Sequence, residues 1–142
     1  MTLQSTAAWL KTASILVMGF GIAFAAGAHP STDLIARFFI DLVFWPIDGA
    51  QSLASPEARL LCAISGGLTF GLGAMLWLIA ARLFPHNHDL ARSIMIWGVG
   101  SWFVVDSTGS VLSGAPLNVA LNLVILLLFL IPLSRPAKAM AV

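Results

Sequence analysis

An all-α membrane protein is the fold class this sequence predicts: a four-helix bundle with one short amphipathic interfacial helix between the first and second spans. Two observations carry that expectation. The 142 residues are 59% hydrophobic and only 9% charged, with a mean hydropathy of +0.96, whereas a soluble domain is about half apolar and about a quarter charged. The apolar residues also fall into long uninterrupted stretches separated by short Pro, Gly, Ser and His punctuation. In lipid a backbone must satisfy its own polar groups, and helices do so within each segment.

The first span covers residues 8–28 and ends at His29-Pro30, since a proline disfavours helix in the residue before it. A single Lys precedes this stretch, and Ala25-Ala26-Gly27-Ala28 has the small-residue look of a signal-peptide cleavage site. Its length, and Gly19 and Gly21 in its middle, favour a retained helix. In the next segment, residues 33–45, Leu34, Ile35, Phe38, Phe39, Leu42 and Val43 recur at helical spacing, while Asp33, Arg37 and Asp41 share another face. Too short to span and carrying three charges, it is expected to lie in the interface, anchored by Phe44 and Trp45 and stopped by Pro46. A re-entrant half-helix is the alternative.

The second span, residues 57–84, begins on a start signal: Ser55 as N-cap, Pro56 at the first helical position and Glu57 at the favourable end of the dipole. It contains Gly67 and Gly71 in a GxxxG, beside Ser65, Thr69 and Gly73. Such faces let helices approach closely, with helix one through Gly19 and Ala23, with helix three through Gly98, or with another subunit. A polar loop, Pro85 to Asp89, leads to the third span at residues 90–106. A Ser/Gly turn around Ser110, Ser113 and Gly114 leads to the fourth at 117–133. The connections are short, so consecutive helices should be antiparallel and both termini should share one side. Placing that side in the cytoplasm puts Lys11, Arg82, Arg92, Arg135 and Lys138 inside and leaves Arg37 and Arg59 outside, as the positive-inside rule prefers.

Composition also removes function classes. A net charge of +1 with no Lys/Arg run gives no footprint for nucleic acid. The lone Cys62 permits neither an intrachain disulfide nor a cysteine metal site. His86 and His88 with Asp89 form a weak metal pattern, because two imidazoles in a loop do not preset a coordination sphere, and a polar loop accounts for them. No metal, cofactor or catalytic residue is assigned.

The densest polar cluster runs from Trp102 to Ser110, around Asp106, and faces Asn118 and Asn122, four apart on one side of the last helix. An ionised carboxylate in a span needs a partner. Arg59, entering from the same side, is the expected ion-pair partner, with Asn118, Asn122 and Ser110 as hydrogen-bond donors. Asp106, Arg59, Asn118, Asn122 and Ser110 are therefore the candidate ligand-binding set; the alternative is that they only fix the turn between the last two helices.

The stretch Trp102-Phe103-Val104-Val105-Asp106-Ser107-Thr108-Gly109-Ser110, with Asn118 and Asn122, and the earlier Asp41-Leu42-Val43-Phe44-Trp45-Pro46-Ile47-Asp48-Gly49 resemble an uncharacterised group of small bacterial four-span inner-membrane proteins. That resemblance implies a bacterial inner-membrane setting and a similar helix count, and no chemistry. Two functions are expected in turn: a noncatalytic accessory subunit or scaffold of a membrane complex, in contact with lipid and with a membrane protein partner or a second copy; or a transporter-like or sensor-like protein with an outward-facing polar pocket.

Overall fold

The computed structural model describes residues 2–134; Arg135 and Lys138, counted above among the inner cations, lie outside the described residues. Within them the chain is all-helical. Helix α1 spans Leu3–Ala25 and is followed by a 3-10 turn, Ala26–Ala28; α2 is Leu34–Val43; α3 is Pro56–Leu78, continued by a π turn, Ile79–Leu83; α4 is His88–Leu112; α5 is Pro116–Ser134. The stretches Leu3–Ala28, Pro56–Leu83 and Pro116–Ser134 are long and apolar enough to cross a membrane. Helix α4 is as long as these at 25 residues but more polar, carrying Asp89, Arg92 and Asp106.

Local chemistry explains the boundaries. Thr2 caps α1, its side chain accepting from Ser5 N at 3.1 Å, so the helix starts well before residue 8. Ser55 caps α3 as expected, accepting from Ala58 N at 3.1 Å with Pro56 at the first position. Asn87 caps α4 by accepting from Leu90 N at 3.1 Å. The largest difference from the expected boundaries is the end of α4, which runs past residue 106 to Leu112. Ser110 is thus helical, and the α4–α5 turn occupies Ser113 to Ala115. That turn is closed by Ala115 N to Ser110 O at 2.9 Å and Gly114 N to Val111 O at 3.1 Å, with Gly114 at φ +82°. This pair of bonds is a Schellman stop, and its left-handed residue is one that glycine adopts without a Cβ clash.

The helices pair as α1 with α3 and α4 with α5, and α1 against α5 joins the two pairs. The α1–α3 seam is backbone on backbone. A Cβ on Gly66 would lie 2.3 Å from Ala25 N, and one on Gly21 would lie 2.5 Å from Phe70 N. The close-contact glycines of α3 are therefore Gly66 and Gly73, facing Gly21, Ala25 and Met18 of α1; Gly67 and Gly71, the expected GxxxG, have nothing within 4 Å, nor do Gly19 and Gly98. The helix is the right one but the stripe is displaced around it.

Helix α3 meets α4 chiefly through the π turn, where Phe84 N bonds Ile79 O at 2.8 Å. The main core gathers at that end, nearest the start of α1, with Leu10, Met95, Val99, Phe129 and Leu133 fully or almost fully buried. Pro132 lies inside α5, and having no N–H it leaves the Leu128 carbonyl without its helical donor. The Trp9 indole N–H fills that role from α1 at 2.8 Å. Arg92 Nε donates to the Leu133 carbonyl in the last turn of the same helix. From this knitted end α3 and α4 diverge, and α2 lies at the opposite, open end.

Helix α2 and its N-cap turn their acids inward, while Arg37 stays exposed. Asp33 and Asp41 are 5% and 6% exposed, while Leu34 is 71%, Phe38 56% and Trp45 62% exposed. Asp41 accepts from Gly49 N at 3.0 Å on both oxygens, holding the following loop. Asp33 pairs with Arg37 at 2.8 Å and faces Arg59 at 3.9 Å. The helix is amphipathic as expected, but its acids are turned to protein and its apolar face is the outer one, an arrangement suited to lipid contact. Ala36 on its inner side packs with Leu53 and Cys62 in a small second core.

Candidate functional site

The divergence of α3 and α4 leaves a cavity of about 420 Å³ bounded by all five helices. Each helix contributes a stripe at helical spacing. From α1 come Val17, Phe20 and Phe24; from α3, Ser65, Thr69, Leu72 and Leu76; from α5, Asn118, Leu121, Asn122, Ile125 and Phe129. Helix α2 closes part of the open end with Phe39, whose ring lies 4.9 Å from that of Phe20 and 5.2 Å from that of Phe24, both edge to face. Helix α4 supplies Val99, Trp102 and Asp106.

The polar groups concentrate on one wall. Asp106 Oδ2 accepts from Asn118 Nδ2 at 3.1 Å and from Asn122 Nδ2 through a short bond. Asn118 Nδ2 also reaches Ser110 Oγ at 2.8 Å, and Asn122 Nδ2 reaches Ser107 Oγ at 3.3 Å. Ser110 in turn donates to the Asp106 carbonyl at 2.8 Å. The register follows from the sequence: Asn118 and Asn122 are one turn apart on α5 and Asp106 and Ser110 one turn apart on α4, so two antiparallel helices bring both pairs level. Asn122 is buried at 4% exposure, while Asp106 and Asn118 are half-buried on the cavity wall.

The structure therefore brings together Asp106, Asn118, Asn122 and Ser110, and leaves Arg59 out. Arg59 lies in the second turn of α3, where the acidic inner face of α2 takes it up through Asp33. The expected Arg59–Asp106 ion pair does not form, because the burial of Asp33 supplies a nearer carboxylate. The α4–α5 turn does not need Asp106 either, since its end groups are satisfied by the Schellman bonds and by Ser113 Oγ donating to Ser110 O at 3.0 Å. What the Asp106 cluster does structurally is tie α4 to α5.

Sequence reasoning missed Ser107, Trp102 as a cavity residue, and the whole apolar wall. Trp102 precedes Asp106 by four residues and Ile125 and Phe129 continue the Asn118–Asn122 stripe, so helical spacing held a signal. Phe39 and Thr69 carried none, because their helices are placed only by tertiary packing. The two loop histidines turn to separate partners, His86 Nδ1 to the Arg82 carbonyl at 2.8 Å and His88 Nε2 to Asp89 at 3.1 Å.

No protein-family model, curated protein or solved structure matches the chain.

Proposed function

We propose that this protein is a noncatalytic membrane-embedded binding protein that takes a small amphipathic molecule into the cavity between α3 and α4, as a sensor or carrier of that molecule. The observation that carries this reading is the composition of the cavity: a largely aliphatic and aromatic chamber with a few hydrogen-bonding groups, Asp106, Asn118 and Asn122 on the α4–α5 wall and the hydroxyls of Ser65 and Thr69 on α3, the usual chemistry of a small-molecule site. Among the lining residues the Asp106 carboxyl has no second acid or base beside it to complete a catalytic pair, only amides and hydroxyls that orient a ligand, which favours binding over conversion. In this reading α4 is the fourth span: at 1.5 Å per residue its 25 residues reach about 37 Å, more than the ~30 Å of a hydrocarbon core. Asp106, Ser107 and Ser110 then face the cavity and the α5 seam, while the outer hydroxyls of Ser101 and Thr108 are returned to the Gly98 and Val104 carbonyls of the same helix. The lysine and arginine distribution supports a bacterial inner-membrane orientation with both termini in the cytoplasm.

The test is saturable binding of 4-butylphenol, a probe with an apolar body and one hydroxyl, to the protein in dodecyl maltoside micelles. Side-chain NMR signals of Trp102, Asn118 and Asn122 report it. Filling the cavity from α3 with Thr69→Trp should abolish the saturable component. Shifts that rise without saturation, identically in both proteins, would show partition into the micelle and end the reading.

An accessory-subunit role is the second reading, supported by one observation: Gly67 and Gly71 leave a close-approach face open on the side of α3 away from α1. Gly67→Leu with Gly71→Leu should then release a membrane partner or second copy recovered by in-membrane crosslinking, without loss of helicity. An unchanged crosslinking pattern argues against it.

A further inference from the structure

The carboxyl of Asp106 is the one ionisable group among the residues that line the cavity. Its two hydrogen bonds from Asn118 and Asn122 both fall on Oδ2, and among the described residues Oδ1 accepts none. Neutral amides orient a carboxylate but do not cancel its charge. No described cation is within ion-pairing distance of it: Arg37 pairs with Asp33, Arg59 stands 3.9 Å from Asp33 with its Nη1 buried and without a hydrogen bond, and Arg92 is turned to the Leu133 carbonyl. A carboxyl on the wall of a mostly apolar chamber in lipid is held as an anion only beside a counter-charge. Beyond it the walls carry the rings of Phe20, Phe24, Phe39 and Trp102, whose faces attract cations that have shed water.

From these features we infer that the cavity selects organic cations, an ammonium whose positive head lies against Asp106 Oδ1 and whose apolar substituents lie along the aromatic wall. This rests on the binding reading above and names its ligand class. The Asn118–Asn122 pair holds Oδ2 and so fixes the carboxylate with its free oxygen available, and those two asparagines are positioning residues. The volume of about 420 Å³ suits a substituted amine of drug-like size or the ammonium head of a lipid, but not a whole two-chain lipid.

A matched pair of probes isolates the charge. Benzyltrimethylammonium and neopentylbenzene have the same shape, one with nitrogen and a positive charge where the other has carbon. Binding is measured by the Trp102 and Asn122 side-chain NMR signals in dodecyl maltoside, which carries no amine, with empty micelles subtracted. The cation should bind at least about tenfold tighter than its neutral isostere, a preference on the scale of one cation–π and ion contact. Asp106→Asn, which keeps the shape, should reduce that ratio several-fold, leaving at most the cation–π share of the aromatic wall. Added phosphatidylethanolamine distinguishes the source: competition with the probe identifies a lipid ammonium as occupant, and its absence a free amine. Equal binding of both probes to the wild-type protein, with 4-butylphenol still saturable, overturns the cation inference alone. Failure of 4-butylphenol and of both probes overturns the binding reading with it. If Asp106→Asn lowers folded yield, Asn118→Ala provides the second variant: a lowered cation-to-neutral affinity ratio supports the inference, and an unchanged ratio counts against it.

Discussion

Replacing Gly66 by alanine tests the central packing feature of the bundle. The added Cβ would sit 2.3 Å from Ala25 N and 2.6 Å from both Ala25 Cα and Gly21 O. Every one of these is backbone, so no side chain can swing aside. Restoring an ordinary contact of about 3.5 Å to the nearest atom requires α1 and α3 to separate locally by the difference, 3.5 − 2.3, or about 1.2 Å. That shift also loosens the neighbouring approaches at Gly21 and Gly73. Overpacking of this kind costs about 1–3 kcal/mol, and rigid partners place it toward the upper end. The gain in helix propensity from Gly to Ala returns at most about 1 kcal/mol. A net loss of about 2 kcal/mol is expected, about a 30-fold shift in the unfolding equilibrium. Gly67→Ala, one residue away with nothing within 4 Å, keeps the propensity gain without the clash and should be neutral or slightly stabilising. Unfolding of both variants in mixed dodecyl maltoside and SDS micelles, followed by circular dichroism, makes the comparison. Equal stability of the two, or the reverse order, would refute the assignment of the α1–α3 seam to Gly21, Gly66 and Gly73.

Trp9→Phe leaves the Leu128 carbonyl without a donor at an exposed site and should cost about 0.5–1.5 kcal/mol in the same unfolding assay. Pro132→Ala restores a backbone N–H for that carbonyl, so the double variant should recover part of the loss; strictly additive effects would show that the indole bond contributes nothing. Asp41→Ala removes both acceptors of the Gly49 amide, and hydrogen exchange at Gly49 should accelerate by at least about tenfold, the scale of a lost bond to a charged group. Cys62, at 4% exposure beneath α2, should resist a membrane-permeant maleimide in the native protein and react on addition of SDS. Rapid native labelling would mean that the small core of Ala36, Leu53 and Cys62 is open.

Several features follow from residue type and spacing alone. A chain with so few charges and such long apolar stretches has to form helices in lipid, because only there can every backbone group pair within its own segment. Ser55-Pro56 marks the start of α3 through local capping, and the amphipathic period of α2 places its acids on one face wherever the helix is put. The meeting of Asp106 with Asn118 and Asn122 was also legible, since a short turn between two helices leaves little choice of register. Tertiary structure decided the rest. Which glycines of α3 touch α1 depends on a rotation about the helix axis, and Gly66 and Gly67 are equally small. Whether the acids of α2 face water or protein depends on what it covers, and once Asp33 was buried it became the partner of Arg59. Asp106 was thereby left without a cation. The cavity beside it exists because α3 and α4 meet at one end and part at the other, a property of the angle between two helices that no single segment encodes.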